Sequence, residues 1–299
     1  MATVNYATQY AQALANAYPY LSYYPELWAG ENATKYRPVM GKTVAVPSLT
    51  VSGAAAVNRD SIDGSFARNW DNAWQTLTMS MDREWSTLID PMDIVQTNDV
   101  ATIANITETF NQFQKVPEMD AYATQELYKA AYAASHVDST SLNSSNILAQ
   151  WDTYLAAMTE ARVPRDRIVA KVTPAVYKLL KEATGITRFI DAGTGIRNID
   201  RNVGKLDGVT IMEVPSDMMQ GSYTFTSGWE PNDVTQVNIL MYDPLATVAP
   251  IVYDTSMISA PSAGTKGKYI YYERYYYDVF ALNQRTAGIY CNATPIVTA

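Results

Sequence analysis

Between Met81 and Pro91, three carboxylates (Asp82, Glu84 and Asp90) crowd a single arginine, Arg83, beside Trp85. Paired carboxylates near a cation invite general acid/base chemistry, in which one group gives a proton and another takes it. The same residues also make an ordinary structural or intersubunit ion-pair network, with the guanidinium shared between carboxylates. No residue elsewhere in the sequence completes a reacting centre, so a network is the expected reading and the chain is not read as an enzyme. His136 is the only histidine. It has no second His or Cys near it, which is not a zinc-site spacing, and a histidine at a helix end is expected. Gly193 and Gly195 stand in DAGTGIRNID. The third glycine of the dinucleotide pattern is missing, as is a Gly-Lys-Ser/Thr, so no phosphate loop is expected. Cys291 is the sole cysteine, which excludes an internal disulfide. No cofactor or metal is expected.

The 299 residues suffice for one large or two modest domains. Charged residues make up 17%, against about 25% in ordinary soluble domains. A subunit that hides surface against neighbours needs fewer charges. The 22 tyrosines point the same way, since Tyr is apolar along its body and polar at its tip. A Tyr-rich β core or a carbohydrate-binding surface fits that composition equally. A glycosidase needs two carboxylates across a sugar bond, and nothing in the sequence selects a pair. The net charge of −8 argues against a dedicated nucleic-acid binder. The nearest approach to a basic run is Arg162, Arg165 and Arg167. An acidic wall remains compatible with enclosing DNA that other machinery drives in. No stretch reaches 18 apolar residues, so no membrane-crossing helix is expected. The N-terminus lacks a basic head followed by an apolar run, so no signal peptide is expected. Folding in a reducing cytoplasm follows, with the Asn-x-Thr triplets at Asn32, Asn105 and Asn292 as chance matches.

The elements that would position these residues read as mixed α and β. A short helix is expected over Tyr6–Ala17. Pro19, Pro25 and Pro38 then break an aromatic stretch that includes Trp28, giving an extended arm that must lie on some surface, its own or a neighbour's. Residues 42–82 read as a long two-stranded excursion. TVAVPSLTVSG alternates, Pro47 marks an edge, the turn chemistry lies around Asn58, Asp60, Asp63 and Gly64, and Leu77, Met79 and Met81 share a face of the return strand. Such a hairpin makes sense packed on a neighbouring subunit. Thr97 is expected to cap a helix that ends at Val116-Pro117, where a second helix starts. A polar linker over His136–Asn146, a helix over Ile147–Ala161, and a strand, turn and helix from Ile168 to Gly185 follow. Gln220–Asn232, which contains Trp229, reads as an exposed aromatic loop. Val237, Ile239 and Met241 alternate in a return strand. KYIYYERYYYDVFAL is the strongest strand, aromatic on both faces, so both faces should be covered.

Six stretches taken together resemble one family: GKTVAVPSLTVSG (41–53), MSMDREWSTLIDPMD (79–93), KVPEMDAY (115–122), VPRDRIVAKVTPAVYKLL (163–180), VTIMEVPSDMM (209–219) and GKYIYYERYYYDVFAL (267–282). Their order and spacing are similar to those of major capsid proteins of tailed phages infecting Gram-positive bacteria. The resemblance covers nearly the whole chain.

It implies an α+β fold of the Hong Kong 97 type. Residues 1–41 would be the N-terminal arm and 42–82 the E-loop hairpin. Residues 83–138 and 241–299 would form the peripheral domain, with its spine helix at 97–115, and 139–240 the axial domain. It implies self-assembly as pentamers and hexamers into an icosahedral shell enclosing double-stranded DNA, in virions built in a bacterial cytoplasm. A portal and maturation machinery are implied partners, and because the family-like arm begins almost at Met1, a separate scaffolding protein or an already processed chain is implied. No residue matches a Lys–Asn cross-linking motif, so a non-covalent shell is expected. The expected intersubunit contacts are Trp28, Asp63, Phe66, Trp70, Asp82, Arg83, Glu84, Trp85 and Trp229. A host-encoded cargo compartment of the same fold is the structural alternative.

Overall fold

A computed structural model describes residues 21–28, 37–40, 42–54, 68–96, 102–183 and 204–296. The expected helix over Tyr6–Ala17, the turn with Asp63 and Phe66, Thr97, and the Gly193–Gly195 pair lie outside these residues.

Part of the aromatic arm lies on the chain's own core. Pro25 opens one helical turn, α1 (Pro25–Trp28), and Tyr24 and Leu27 are fully buried. Asp120 anchors the segment. Its carboxylate accepts from Tyr23 N–H at 2.6 Å, Ser22 Oγ at 3.1 Å and Trp28 Nε1 at 3.0 Å.

Strands β1 (Arg37–Met40), β2 (Thr43–Val51) and β3 (Trp70–Thr78) form an antiparallel sheet in that order. The β2–β3 register runs unbroken from Thr43↔Thr78 to Val51↔Trp70. β1 reaches only to Ala45. Pro47, with no N–H to give, therefore sits where, among the described residues, β2 has a free edge, as expected. The excursion is three-stranded at its root rather than two-stranded. Its return strand stops at Thr78, short of Met81. Ser80 is pulled out of line by Asp278, to which its N–H donates at 2.7 Å and its Oγ at 3.2 Å. Met81 opens β4 (Met81–Ile89).

After α2 (Pro91–Gln96), Thr102 caps α3 (Ile103–Phe110) by accepting from Asn105 N–H at 3.3 Å. The helix does not stop at Pro117. Asn111–Lys115 form a π turn, and α4 (Val116–Ala133) continues from it. A proline in a regular helix would press its ring on the carbonyl four residues earlier and leave that carbonyl unbonded. The wider turn just before Pro117, in which Val116 N–H reaches back to the Asn111 carbonyl, relieves that conflict.

The chain then adds β5 (Val137–Asp138), α5 (Ile147–Glu160) and β6 (Val169–Val172). Thr173 caps α6 (Pro174–Glu182), with proline in its first turn. Strands β7 (Lys205–Leu206) and β8 (Val209–Glu213) follow. The aromatic loop is a small hairpin of β9 (Tyr223–Thr224) and β10 (Glu230–Pro231). It is not exposed as expected: Tyr223 is buried, and Phe225 and Trp229 pack against the core.

β11 (Thr235–Tyr242) is the centre of a six-stranded sheet ordered β5–β16–β11–β6–β8–β7, in which β16 is Ile289–Pro295. A bulge between Val237 and Ile239 shifts its phase. Val237 thus joins Leu240 and Tyr242 against α4, while Ile239 and Met241 face the α5 and α6 side. The simple alternation of Val237, Ile239 and Met241 is broken there. On β6, Lys171 is fully buried. Its ammonium pairs with Glu26 at 2.8 Å and donates to the Tyr23 carbonyl, and the Tyr242 hydroxyl meets the same Glu26.

β12 (Thr247–Val248) pairs with β15 (Phe280–Ala281). Strands β13 (Ile251–Ser259) and β14 (Tyr269–Tyr277) with β4 make a sheet ordered β13–β14–β4. One face of β14 is covered: Tyr271, Glu273, Tyr275 and Tyr277 are buried. The other, with Ile270, Tyr272, Arg274 and Tyr276, is half-exposed. Coverage of both faces is met on one side only.

Candidate assembly surface

The Asp82–Trp85 cluster lies within β4, and a strand sends neighbours to opposite faces. This splits the expected network in two. On the outer face, Asp82 accepts from Arg274 Nε and Nη2 at 3.1 and 3.0 Å and from Lys42 Nζ at 3.1 Å. Glu84 accepts from the Tyr272 hydroxyl at 3.2 Å. On the inner face, Arg83 lays its fork on Glu118, with both bonds at 2.8 Å, and gives a third hydrogen bond to the Phe225 carbonyl at 2.7 Å. Tyr277 donates to the same Glu118 at 3.1 Å. Trp85 stacks on Phe110 with centroids 4.1 Å apart. Asp90 is 3.8 Å from Lys268.

The electrostatics follow from these partners. Hydrogen bonds from Arg274 hold the Asp82 carboxyl down at about 2, against some burial. A carboxylate held so low is a poor proton donor or acceptor near neutral pH. Burial pushes the Glu118 carboxyl up, opposed by the Arg83 fork and the Tyr277 hydroxyl. Because the folded value of Asp82 lies below the ordinary one, its contribution to stability is present above 3.8 and is lost as pH falls towards 2. Asp82→Asn should therefore flatten the loss of stability across that window in denaturant titrations. An acid limb identical to the parent's would remove Asp82 from the account.

The hairpin carries a different surface. Directly opposed residues of an antiparallel pair share a face, and the register pairs Val51 with Trp70, Leu49 with Asn72 and Pro47 with Trp74. One face of its outer half is thus an apolar strip, with Leu49 63%, Val51 71%, Trp70 51% and Trp74 50% exposed. The Arg68 guanidinium covers part of the Trp70 ring, 3.9 Å from its centre. The root is fixed to the body. Val44, Ala45 and Val46 are buried, and the Gln75 amide exchanges hydrogen bonds with Asn283 at 3.1 and 3.2 Å.

The other expected contact residues are placed as follows. Trp28 bonds to Asp120 and meets Tyr277 edge-on at 5.8 Å. Trp229 meets Tyr223 at 6.3 Å. His136 follows α4, stacks on Tyr290 at 4.3 Å, and has Nδ1 within 3.2 Å of the Thr286 and 3.1 Å of the Ile289 carbonyl oxygens. Among the described residues, no group of His, Cys, Asp and Glu is arranged to hold a metal, and no helix is long and apolar enough to cross a membrane. Glu118 and Arg274, the partners of Arg83 and Asp82, have no local signal in the sequence. Val51 and Trp74 do have one, the two-residue alternation that also carries Leu49 and Trp70.

No protein-family profile and no curated protein sequence matches the chain. Solved structures do. The subunit of the bacteriophage PhiM1 mature capsid superposes with a TM-score of 0.67 at 14% identity, covering 98% of this chain and 93% of that one. The capsid of Ralstonia phage GP4 gives 0.62 at 15% identity, covering 98% and 96%. The capsid of cyanophage P-SCSP1u gives 0.60 at 13% identity, covering 96% and 92%. The described residues have the α+β fold of phage capsid subunits.

Proposed function

We propose that this chain is a structural major capsid protein of a tailed phage. It assembles as pentamers and hexamers into an icosahedral shell that encloses double-stranded DNA, in a virion built in the bacterial cytoplasm. The observation that supports this most directly is the hairpin: rooted in the body, it holds an apolar strip of Leu49, Val51, Trp70 and Trp74 away from the chain's own core. Exposed apolar strips of this kind mark contact sites. In this reading residues 1–41 are the arm, 42–82 the E-loop, 83–138 with 241–299 the peripheral domain, and 139–240 the axial domain, and the continuous α3–α4 helix is the spine. Head-to-tail contacts close rings, and each contact can be weak because every subunit makes several at once. A separate scaffolding protein, a portal and maturation machinery complete the partners, and the shell is held without covalent cross-links. The carbohydrate alternative draws no support from Trp85, whose ring is stacked on Phe110.

Electron microscopy of the purified chain, with its mass in solution, tests this. Rings, sheets or closed shells are expected, alone or with a candidate scaffold. A monomer near 33.1 kDa under both conditions would overturn the proposal. Particles containing protein rather than DNA would move the chain to the cargo-compartment alternative.

A further inference from the structure

The chain is acidic overall, with a net charge of −8, yet one end of the six-stranded sheet gathers arginines. β11 ends there at Tyr242, opposite the start of β6 at Val169 and of β16 at Ile289. The three turns at that end enclose a cleft of about 250 Å³ lined by Arg162, Arg167, Arg285, Asp243 and Gln284. Arg165 stands beside it in the 3-10 turn Arg165–Arg167. Gly288 lets the third turn press in: a Cβ there would lie 3.2 Å from that of Ala246.

All four arginines are exposed, and Arg165, Arg167 and Arg285 are steadied by few bonds. Arg167 Nη2 donates to Asp243 at 2.6 Å, Arg285 Nη1 to the Leu245 carbonyl at 2.8 Å, and Arg165 Nε to Thr159 Oγ1 at 3.2 Å. A guanidinium has five N–H donors in a rigid fork, so most of the donors remain for a ligand. Against the four cations stand Asp243, already bonded to Arg167, and the exposed Glu160 and Asp166. Arg162 occupies a left-handed position, φ +64°, at the end of α5. Glycine is the usual occupant of such a position. None of the four is a lysine. Arginine is the residue whose planar fork matches phosphate oxygens.

We infer that this cleft binds the phosphodiester backbone of duplex DNA, without reading sequence, and that it marks the subunit surface facing the enclosed nucleic acid. The choice of DNA as the source of phosphate rests on the capsid reading; the anion site itself does not. A net charge of −8 gives the chain no overall attraction for DNA. A local arginine cleft would give the duplex fixed points of attachment.

The test uses the full chain, a 25-bp duplex of arbitrary sequence, and fluorescence anisotropy across a salt series. Each neutralised phosphate contributes about −0.9 to the slope of log K against log salt. A parent slope of about −3 to −4 is expected. In the double variant Arg162→Gly/Arg165→Gln, affinity should fall at least about tenfold and the slope should become shallower by about 2. Glycine at position 162 suits the backbone, so loss of binding with an unchanged or raised unfolding midpoint excludes misfolding as the cause. Lys178→Gln/Lys181→Gln on α6 serves as the control and should leave binding unchanged. Absence of duplex binding by the parent, or equal binding by parent and double variant, would overturn the inference. So would a double variant that loses particles but keeps its duplex affinity, since the cleft would then meet an acidic surface of another copy. Particle formation scored by microscopy reports on the capsid reading separately.

Discussion

Replacing Glu118 with alanine should destabilise the folded chain by about 3–5 kcal/mol, the range for removing one partner of a buried ion pair. Glu118 is nearly inaccessible, with 5% of its side chain exposed against 21% for Arg83. It receives both arms of the Arg83 fork and the Tyr277 hydroxyl. Alanine would leave the guanidinium with only the Phe225 carbonyl and the tyrosine hydroxyl without its acceptor. The cost comes from the orphaned charge, not from the worth of the pair against an apolar filling. Glu118→Leu combined with Arg83→Met should therefore recover much of the loss. Urea unfolding of the three variants measures this. A loss under about 1 kcal/mol for Glu118→Ala would mean that water reaches Arg83 freely.

Trp70→Ser with Trp74→Ser should abolish particle formation while moving the unfolding free energy of the chain by no more than about 0.5 kcal/mol. Both rings lie half in solvent on the hairpin's outer half, so their loss takes little from the subunit's own packing. Docked on a second copy, two such rings would contribute about 3 kcal/mol per hairpin, on the order of 100-fold in each contact's equilibrium constant. In a closed shell that factor applies at every contact. Normal particles from the double variant would show that the strip is not an interface.

How much of this was legible in the sequence depended on how far apart the partners stand. The β2 strand, α5, and the strand-to-helix turn at Thr173-Pro174 are written in local alternation and capping, and all formed as expected. β4 was not legible as a strand, because MDREWSTLI puts acids on its outer face and an arginine and a tryptophan on its inner face. Without a clean apolar alternation it reads as a polar cluster. Its true partners are 35 residues away for Glu118 and 192 for Arg274. The break expected at Pro117 failed because the π turn lies in Asn111–Lys115, where no residue type announces it. The loop aromatics read as exposed because nothing local says that Phe225 and Trp229 fold back onto the core.

The placement of α1 has a consequence for how the chain is made. Residues 21–28 leave the ribosome well before the groups that receive them are synthesised. Asp120 trails Ser22 by 98 residues, Lys171 trails Tyr23 by 148, and Tyr242 trails Glu26 by 216. Tyr24 and Leu27 must therefore wait, unpacked, until those partners emerge. Closing this core is a high-separation step of the kind that folds slowly, and a waiting apolar segment is vulnerable to capture by another chain. Dense co-synthesis of many copies should make residues 21–28 a place where nascent chains become entangled.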